Sequence, residues 1–119
     1  MATILVVEDD EEVLTSLQKV LEGRKHQVRT AMTNKRAHEI IAQGGLDLII
    51  SDAVLRGGNG ESIAKSADSL GVPILLISGN PAKIQALEGG PLPFLKKPFR
   101  PRALMAIVNR CLAKPDADR

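Results

Sequence analysis

The chain has 119 residues, of which 44% are apolar and 25% charged, as expected for one globular domain rather than a disordered segment. Only 2% are aromatic, which argues against a surface that binds single-stranded nucleic acid by stacking its bases on aromatic rings. A single cysteine excludes an internal disulfide, and the sequence contains no signal peptide or membrane-spanning run, so we expect a cytoplasmic location.

Charge is distributed unevenly along the chain, although the net charge is only +2. Residues 1–60 carry nine acidic and seven basic side chains, whereas residues 61–119 carry five acidic and nine basic ones. The basic excess is not gathered into a stripe, so we expect no direct contact with nucleic acid. The acidic residues Glu8 to Glu12 are consecutive, and such a run either binds a cation or lies at the start of a helix.

Five runs rich in aliphatic side chains predict β-strands: Thr3–Val7, Gln27–Ala31, Leu46–Ser51, Val72–Ser78 and Pro93–Lys96. The first, third and fourth contain uninterrupted aliphatic stretches, which are typical of parallel strands buried on both faces. The second alternates polar and apolar residues, and we expect it near an edge of the sheet.

Amphipathic stretches between the strands predict five helices. The shared apolar faces are Val13, Leu14, Leu17, Val20 and Leu21; then Ala37, Ile40 and Ile41; then Ile63, Ala64, Ala67 and Leu70; and last Leu104, Ile107, Val108, Cys111 and Leu112. The fourth helix, Pro81–Glu88, is so short that it depends on tertiary packing. The alternation predicts an α/β domain over residues 1–114, a doubly wound five-stranded parallel sheet with helices on both faces, followed by a polar tail over residues 115–119.

Chemically active side chains follow four of the predicted strands. Glu8 and Asp9 follow the first strand, Asp52 the third, Ser78 the fourth and Lys97 the fifth. Because the carboxyl ends of the strands in such sheets form the working edge, we expect these side chains to converge there.

Three carboxylates and one lysine leave a charge that a divalent cation would neutralise. The candidate ligands are all oxygens, which favours Mg²⁺. A carboxylate beside this ion can attack phosphorus, while the ion, the lysine and the hydroxyl stabilise charge on the phosphoryl oxygens. The residues therefore predict a site of aspartyl phosphorylation.

The order of these motifs resembles a response-regulator receiver domain, the CheY-like module of two-component signalling. The matching segments are Ile4-Leu5-Val6-Val7-Glu8-Asp9-Asp10, Asp52, Ile74-Leu75-Leu76-Ile77-Ser78-Gly79 and Phe94-Leu95-Lys96-Lys97-Pro98-Phe99. The resemblance covers nearly the whole chain and implies a flavodoxin-like strand order, 2-1-3-4-5.

The resemblance also implies a role for each acidic residue. Asp52 would be the phosphoacceptor. Asp9 would bind Mg²⁺ directly, Glu8 would bind it mostly through water, and the backbone carbonyl of Val54 would supply a further ligand.

The remaining implied roles concern the response to phosphorylation. Lys97 would pair with a phosphoryl oxygen and would precede a cis peptide bond to Pro98. Ser78 would donate a hydrogen bond to the phosphoryl group, and Phe94 occupies the position of the family's switch aromatic residue.

The implied function is a signalling module rather than an enzyme, beyond catalysis of its own phosphorylation and dephosphorylation. The phosphoryl group would come from a histidine kinase or a histidine phosphotransfer protein. Output would pass through contact with an unknown downstream protein, since no second domain follows the last helix. We expect a monomer or a phosphorylation-dependent dimer, without membrane contact.

Departures from the family pattern leave an alternative open. Arg56 stands where the family usually has proline, Gly57-Gly58 predicts a flexible loop, and Phe94 replaces a frequent tyrosine. The chain could therefore be a receiver fold that signals without phosphorylation.

Two further alternatives are less favoured. A Mg²⁺-dependent aspartyl-phosphate phosphatase would have Asp-x-Asp after its first strand and a cap domain. A flavodoxin-like electron carrier would have a hydroxyl-rich phosphate loop and aromatic residues around its flavin.

Four other side chains are assigned structural or surface positions. We expect His26 and His38 to be solvated, Cys111 to be a core thiol and Lys96 to be exposed.

Overall fold

The computed structural model describes residues 1–55 and 58–113. Its main sheet contains five parallel strands, β1 (Thr3–Val7), β2 (Gln27–Ala31), β3 (Leu48–Asp52), β6 (Ile74–Ser78) and β7 (Phe94–Lys96). They lie in the order β2-β1-β3-β6-β7, which confirms the predicted order 2-1-3-4-5. Two further short strands, β4 (Val54–Leu55) and β5 (Gly58–Asn59), form an antiparallel pair that the sequence did not predict.

Five helices connect the strands: α1 (Glu11–Gly23), α2 (Asn34–Gln43), α3 (Gly60–Ser69), α4 (Pro81–Glu88) and α5 (Pro101–Leu112). The aliphatic faces of α1 and α5 pack on one side of the sheet. Those of α2 and α3 pack on the other side, where Leu87 of α4 also contributes. Because both faces are covered, β1, β3 and β6 are buried almost throughout, as their aliphatic runs predicted.

Strand β2 lies at an edge of the sheet, as its alternating sequence predicted. In β2 only Ala31 is fully buried, and the residues before it alternate between exposed and half-buried. Among the described residues, no helix is long and apolar enough to cross a membrane.

Two strands begin later than the sequence predicted. Before β3, the backbone N–H of Thr3 is bound by the side chain of Asp47 at 2.9 Å, so the regular pairing with β1 starts only at Leu48. Before β6, the N–H of Val72 donates to the carbonyl of Ala67, which ties Val72 to the end of α3. Because of these hydrogen bonds, the first residues of each predicted strand lie outside the observed strand.

The prediction that Leu70 shares the apolar face of the third helix is wrong. Helix α3 ends at Ser69, and Leu70 is 58% exposed in the turn that follows. Its N–H bonds to the carbonyl of Ala67, and this i−3 spacing tightens the last turn and takes the side chain off the helical face.

Two regions with predictions lie outside the described residues. They are the loop positions Arg56 and Gly57, and the end of the chain from residue 114, which includes the predicted tail over residues 115–119.

Candidate functional site

The carboxyl edge of the sheet brings the predicted site residues together. Asp52 and Ser78 are the last residues of β3 and β6, and Lys97 follows β7 directly. Glu8 and Asp9 come directly after β1, the strand that neighbours β3 in the sheet. The prediction that these five side chains converge at one edge agrees with the observed geometry.

Lys97 joins the two sides of this group. Its Nζ donates to Oε1 of Glu8 at 2.8 Å and to Oδ2 of Asp52 at 2.9 Å. The exposed fractions of the three side chains are 23% for Lys97, 13% for Asp52 and only 1% for Glu8. Such charge-assisted bonds are short and strong where solvent is partly excluded, so the ammonium is firmly placed beside Asp52.

Glu8 is the most deeply buried charged group of the site. Oε2 accepts a hydrogen bond from the backbone N–H of Asp10 at 3.1 Å, while Oε1 accepts the bond from Lys97. Burial raises the pKa of Glu8 above its ordinary value, the charge of Asp52 adds to the rise, and the bonds from Lys97 and Asp10 oppose it. Burial is therefore a larger cause of the raised pKa of Glu8 than repulsion from Asp52.

At Lys97, hydrogen bonds and neighbouring charges outweigh the effect of burial on the pKa. Burial alone would lower the pKa of Lys97, but its hydrogen bonds to Glu8 and Asp52, together with their charges, outweigh that effect and raise it. Lys97 is therefore a protonated cation over the physiological pH range.

Backbone contacts fix the position of Asp52. Its Oδ1 accepts a hydrogen bond from the N–H of Val54 at 3.0 Å, and the N–H of Ala53 donates to Ile77 on β6. Each carboxylate oxygen of Asp52 thus has one donor, Val54 or Lys97.

Gly60 is a residue of this site that the sequence did not single out. A Cβ at this position would lie 2.9 Å from the carbonyl oxygen of Asp52 and 3.1 Å from Cα of Ala53. The N–H of Gly60 donates to the carbonyl of Ala53, so α3 begins in direct contact with the end of β3. The signal that could have indicated it is a glycine shortly before the apolar face of the predicted third helix.

Three carboxylates form a group that could hold a metal ion. Glu8, Asp9 and Asp52 each offer an oxygen, and these atoms lie within 4.8 Å of one another. An all-carboxylate donor set of this kind suits a hard cation such as Mg²⁺. Of the three side chains, Glu8 is the most deeply buried, with only 1% of its side chain exposed, whereas Asp9 and Asp52 are partly exposed.

Asp10 belongs to the helix rather than to the metal group. Its Oδ1 accepts hydrogen bonds from the N–H groups of Glu12 and Val13 and caps the start of α1. The acidic run therefore divides into two parts, with site residues first and helix-start residues after them.

Ser78 connects the site to α4. Its side chain is buried, and Oγ accepts a hydrogen bond from the N–H of Asn80 at 3.1 Å. Asn80 in turn caps α4 by accepting from the N–H of Lys83. The hydroxyl hydrogen of Ser78 is not used in the bond with Asn80, so it can be donated to a group at the sheet edge.

Phe94 lies one strand away from Ser78 and further from the working edge. It is half-buried against the core on the α2 and α3 side, and it pairs in register with Leu76. The peptide bond between Lys97 and Pro98 is cis, as the resemblance implied.

Outside the site, the expectation that both histidines are solvated is wrong. Nδ1 of His26 accepts a hydrogen bond from the N–H of Ala2 at 3.1 Å. His38 bridges α2 to α3, with its ring nitrogens 3.1 Å and 3.4 Å from the hydroxyls of Ser66 and Ser62. The residues that complete these contacts lie far along the chain, so the local sequence did not indicate them.

Two other expectations agree with the structure. Cys111 is buried, as expected for a thiol in the core. Lys96 is exposed and lies 3.4 Å from Glu88, as expected from the alternation that directs Lys97 into the site.

A family model for the response regulator receiver domain matches residues 4–109. The chain therefore belongs to this family, whose members are the signalling domains of two-component response regulators.

Relatives in sequence are response regulators as well. VanR of Enterococcus faecium is 31% identical over 115 residues, which cover 93% of this chain and 50% of VanR. The phosphate regulon regulator PhoB of Pseudomonas aeruginosa is 29% identical over 119 residues, which cover 94% of this chain and 52% of PhoB. The chain thus spans about half the length of these curated relatives.

Solved structures show the same fold. The chemotaxis protein CheY4 of Vibrio cholerae matches with a TM-score of 0.81 and 27% identity, covering 94% of this chain and 99% of that one. A receiver domain protein of Clostridium thermocellum matches with a TM-score of 0.85, covering 96% of both chains, and its 21% identity shows the fold alone.

Proposed function

We propose that this receiver domain accepts a phosphoryl group on Asp52 and thereby changes its contacts with other proteins. The observation that carries the proposal is the position of Lys97, whose Nζ lies 2.9 Å from Oδ2 of Asp52. Two further carboxylates, Glu8 and Asp9, offer oxygens within 4.8 Å of Asp52 and of each other. A carboxylate, a cation and a group that could hold a metal ion lie at one edge of the sheet, which supports the proposal.

The proposed reaction transfers a phosphoryl group from a histidine nitrogen of the donor to a carboxylate oxygen of Asp52. A carboxylate oxygen of Asp52 attacks the phosphorus of a phosphohistidine, the new P–O bond forms as the P–N bond breaks, and the departing imidazole takes up a proton. Lys97 is already placed to pair with a phosphoryl oxygen, since it donates to Asp52 before the reaction. Mg²⁺, held by Asp9 and Asp52 with Glu8 behind them, would neutralise charge on the same oxygens.

The response to phosphorylation would pass through Ser78. Its hydroxyl hydrogen is available for a phosphoryl oxygen, and its Oγ is bonded to the N–H of Asn80, the residue that caps α4. A shift of Ser78 towards Asp52 would therefore pull the start of α4 in the same direction. Phe94, half-buried on the adjacent strand, would adjust its packing with this movement.

The partners follow from this chemistry. A histidine kinase or a histidine phosphotransfer protein would donate the phosphoryl group, in the cytoplasm. A downstream protein would read the changed surface, and the protein would be a monomer or a phosphorylation-dependent dimer.

Intact-mass measurement after incubation with acetyl phosphate and Mg²⁺ tests the proposal. We expect one added phosphoryl group on the wild-type chain and none on Asp52→Asn. Asp68→Asn, an exposed aspartate on α3, is the matched control and should be phosphorylated normally. An unmodified wild-type chain would contradict the proposal and favour the alternative of a receiver fold that signals without phosphorylation.

A further inference from the structure

A cavity of about 220 Å³ that is partly open to solvent lies beneath α4. Its aliphatic lining comes from the end of β3, from β6, from α4 and from the segment before β7, with the side chains Ala53, Leu76, Ala86, Leu87 and Leu92. Water in such a space finds few hydrogen-bond partners. An apolar group that displaces this water therefore lowers the free energy.

The helix above the cavity is the least buried of the five. None of the residues of α4 is fully buried, and Ile84 and Leu87 are half-buried. Each of the other four helices buries at least three residues. An eight-residue helix depends on tertiary contacts, so a molecule in the cavity would supply apolar contact that α4 lacks.

The rim of the cavity carries a compensated pair of charges. Nζ of Lys83 on α4 lies 3.4 Å from Oε1 of Glu61 on α3, and both residues line the cavity. The aliphatic stem of Lys83 can cover apolar surface while its ammonium remains at the rim. Because the two charges already compensate each other, a charged ligand would add an uncompensated charge at the rim, whereas an uncharged ligand would not.

We propose that this cavity binds a small uncharged apolar molecule about the size of one aromatic ring. Apolar cavities of about 150 Å³ in proteins bind benzene, so the larger volume here admits a ring with a small substituent. A helical segment of a partner, about 10 Å across with its side chains, is too large to enter. The inference is independent of phosphorylation, although Ala53 and α4 place an occupant next to the segments that follow Asp52 and Ser78.

Titration with benzene, followed by ¹H–¹⁵N NMR, tests the binding site. We expect saturable shifts centred on the amides of Ala53, Leu76 and Leu87. Ala86→Leu extends an aliphatic chain at the cavity wall from an exposed helical position, and should weaken binding roughly tenfold or more. Gln85→Leu, on the same helix but outside the cavity lining, should bind as wild type does. Shifts that do not saturate, or an Ala86→Leu response equal to that of wild type, would overturn the proposal.

A second titration tests the ligand class. Benzoate and benzylammonium have the same ring but carry a charge that disturbs the pair of Lys83 and Glu61. Both should bind more weakly than benzene. Binding of either ion as tight as that of benzene would overturn the assignment of an uncharged ligand.

Discussion

The ammonium of Lys97 donates a 2.8 Å hydrogen bond to Oε1 of Glu8, the most buried carboxylate of the site. Glu8 therefore holds Lys97 in place beside Asp52, and the N–H of Asp10 occupies its other oxygen.

Replacement of Lys97 by alanine should lower stability and abolish the response to a phosphoryl mimic, but it should leave Mg²⁺ binding intact. Lys97→Ala leaves a buried carboxylate without its cation, and we expect the free energy of unfolding to fall by about 1–3 kcal/mol in urea unfolding experiments. The carboxylates remain, so Mg²⁺ binding should persist. Addition of beryllofluoride should no longer shift the amide NMR signals after Ser78.

The neighbouring lysine provides the control for this substitution. Lys96→Ala removes an exposed lysine with a surface ion pair to Glu88, and should change stability by only about 0.5 kcal/mol. A loop after Ser78 that responds to beryllofluoride in Lys97→Ala as it does in wild type would show that Lys97 does not sense the phosphoryl group.

Mg²⁺ should stabilise the fold, because it relieves repulsion among Glu8, Asp9 and Asp52. At ten times its dissociation constant, a ligand of the folded state adds about 1.4 kcal/mol to the free energy of unfolding. We expect a higher thermal midpoint with Mg²⁺, and loss of most of that effect in Asp9→Asn. Glu12→Gln, an exposed helix-start residue outside the metal group, should keep the full effect. An unchanged wild-type midpoint would contradict the metal assignment.

Gly60→Ala should destabilise the chain although it changes only one methyl group. The added Cβ would lie 2.9 Å from the carbonyl oxygen of Asp52, so either α3 or the end of β3 must shift, at a cost of about 1–3 kcal/mol. Gly23→Ala is the matched control, since no atom lies within 4 Å of its added Cβ and stability should rise by about 0.4–1 kcal/mol. Equal urea unfolding midpoints for the two variants would show that the close contact at Gly60 is relieved without cost.

His26 should make stability depend on pH below its ordinary pKa. Burial, with a smaller effect from the N-terminal charge, lowers the pKa of His26, and its Nδ1 accepts a hydrogen bond from Ala2 in the neutral form. Between the lowered pKa and the ordinary histidine pKa of 6.5, the unfolded chain binds more protons than the folded chain. The stability that His26 contributes is therefore present above pH 6.5 and is lost as the pH falls through the lowered value.

Urea unfolding of wild type and His26→Gln at about pH 7.5 and about pH 5.5 measures this contribution. The free energy of unfolding should fall more on acidification in wild type than in the variant. The comparison also cancels other groups such as Glu8, whose raised pKa gives the opposite slope above 4.5. An equal loss in the two proteins would contradict the assignment.

Val54 should prolong the phosphorylated state. It is 47% exposed, and its N–H is bonded to Asp52, so an apolar side chain stands beside the carboxylate where a polar one could orient water. Val54→Asn should lose its phosphoryl group roughly tenfold faster than wild type after removal of the donor. Val54→Ala, which also cannot orient water, should decay at about the wild-type rate. Equal decay in all three proteins would show that this side chain does not control the attacking water.

The sequence pattern by itself determined the parallel sheet between two helical layers, the number of helices and the convergence of the site, while the strand order came from the family resemblance. Uninterrupted aliphatic runs can be satisfied only between two helical layers, and parallel strands then bring their carboxyl ends to one edge. Positions such as Asp52, Ser78 and Lys97 could therefore be assigned to that edge from order along the chain alone. The bounds predicted for the short α4, Pro81–Glu88, are the observed ones, because proline and glycine mark its two ends.

Only the tertiary structure decided how the elements contact one another. The late start of β3 and the bonds of His26 and His38 depend on groups that are distant in sequence. The exposure of Leu70 and the close approach of Gly60 to Asp52 depend on where α3 ends and begins in the folded chain. The same is true of Glu8, whose pKa is raised mainly by burial, and of the cavity beneath α4. A hydrophobic pattern specifies which face of an element is buried, but burial depth, hydrogen-bond partners and empty space result from how all the faces pack together.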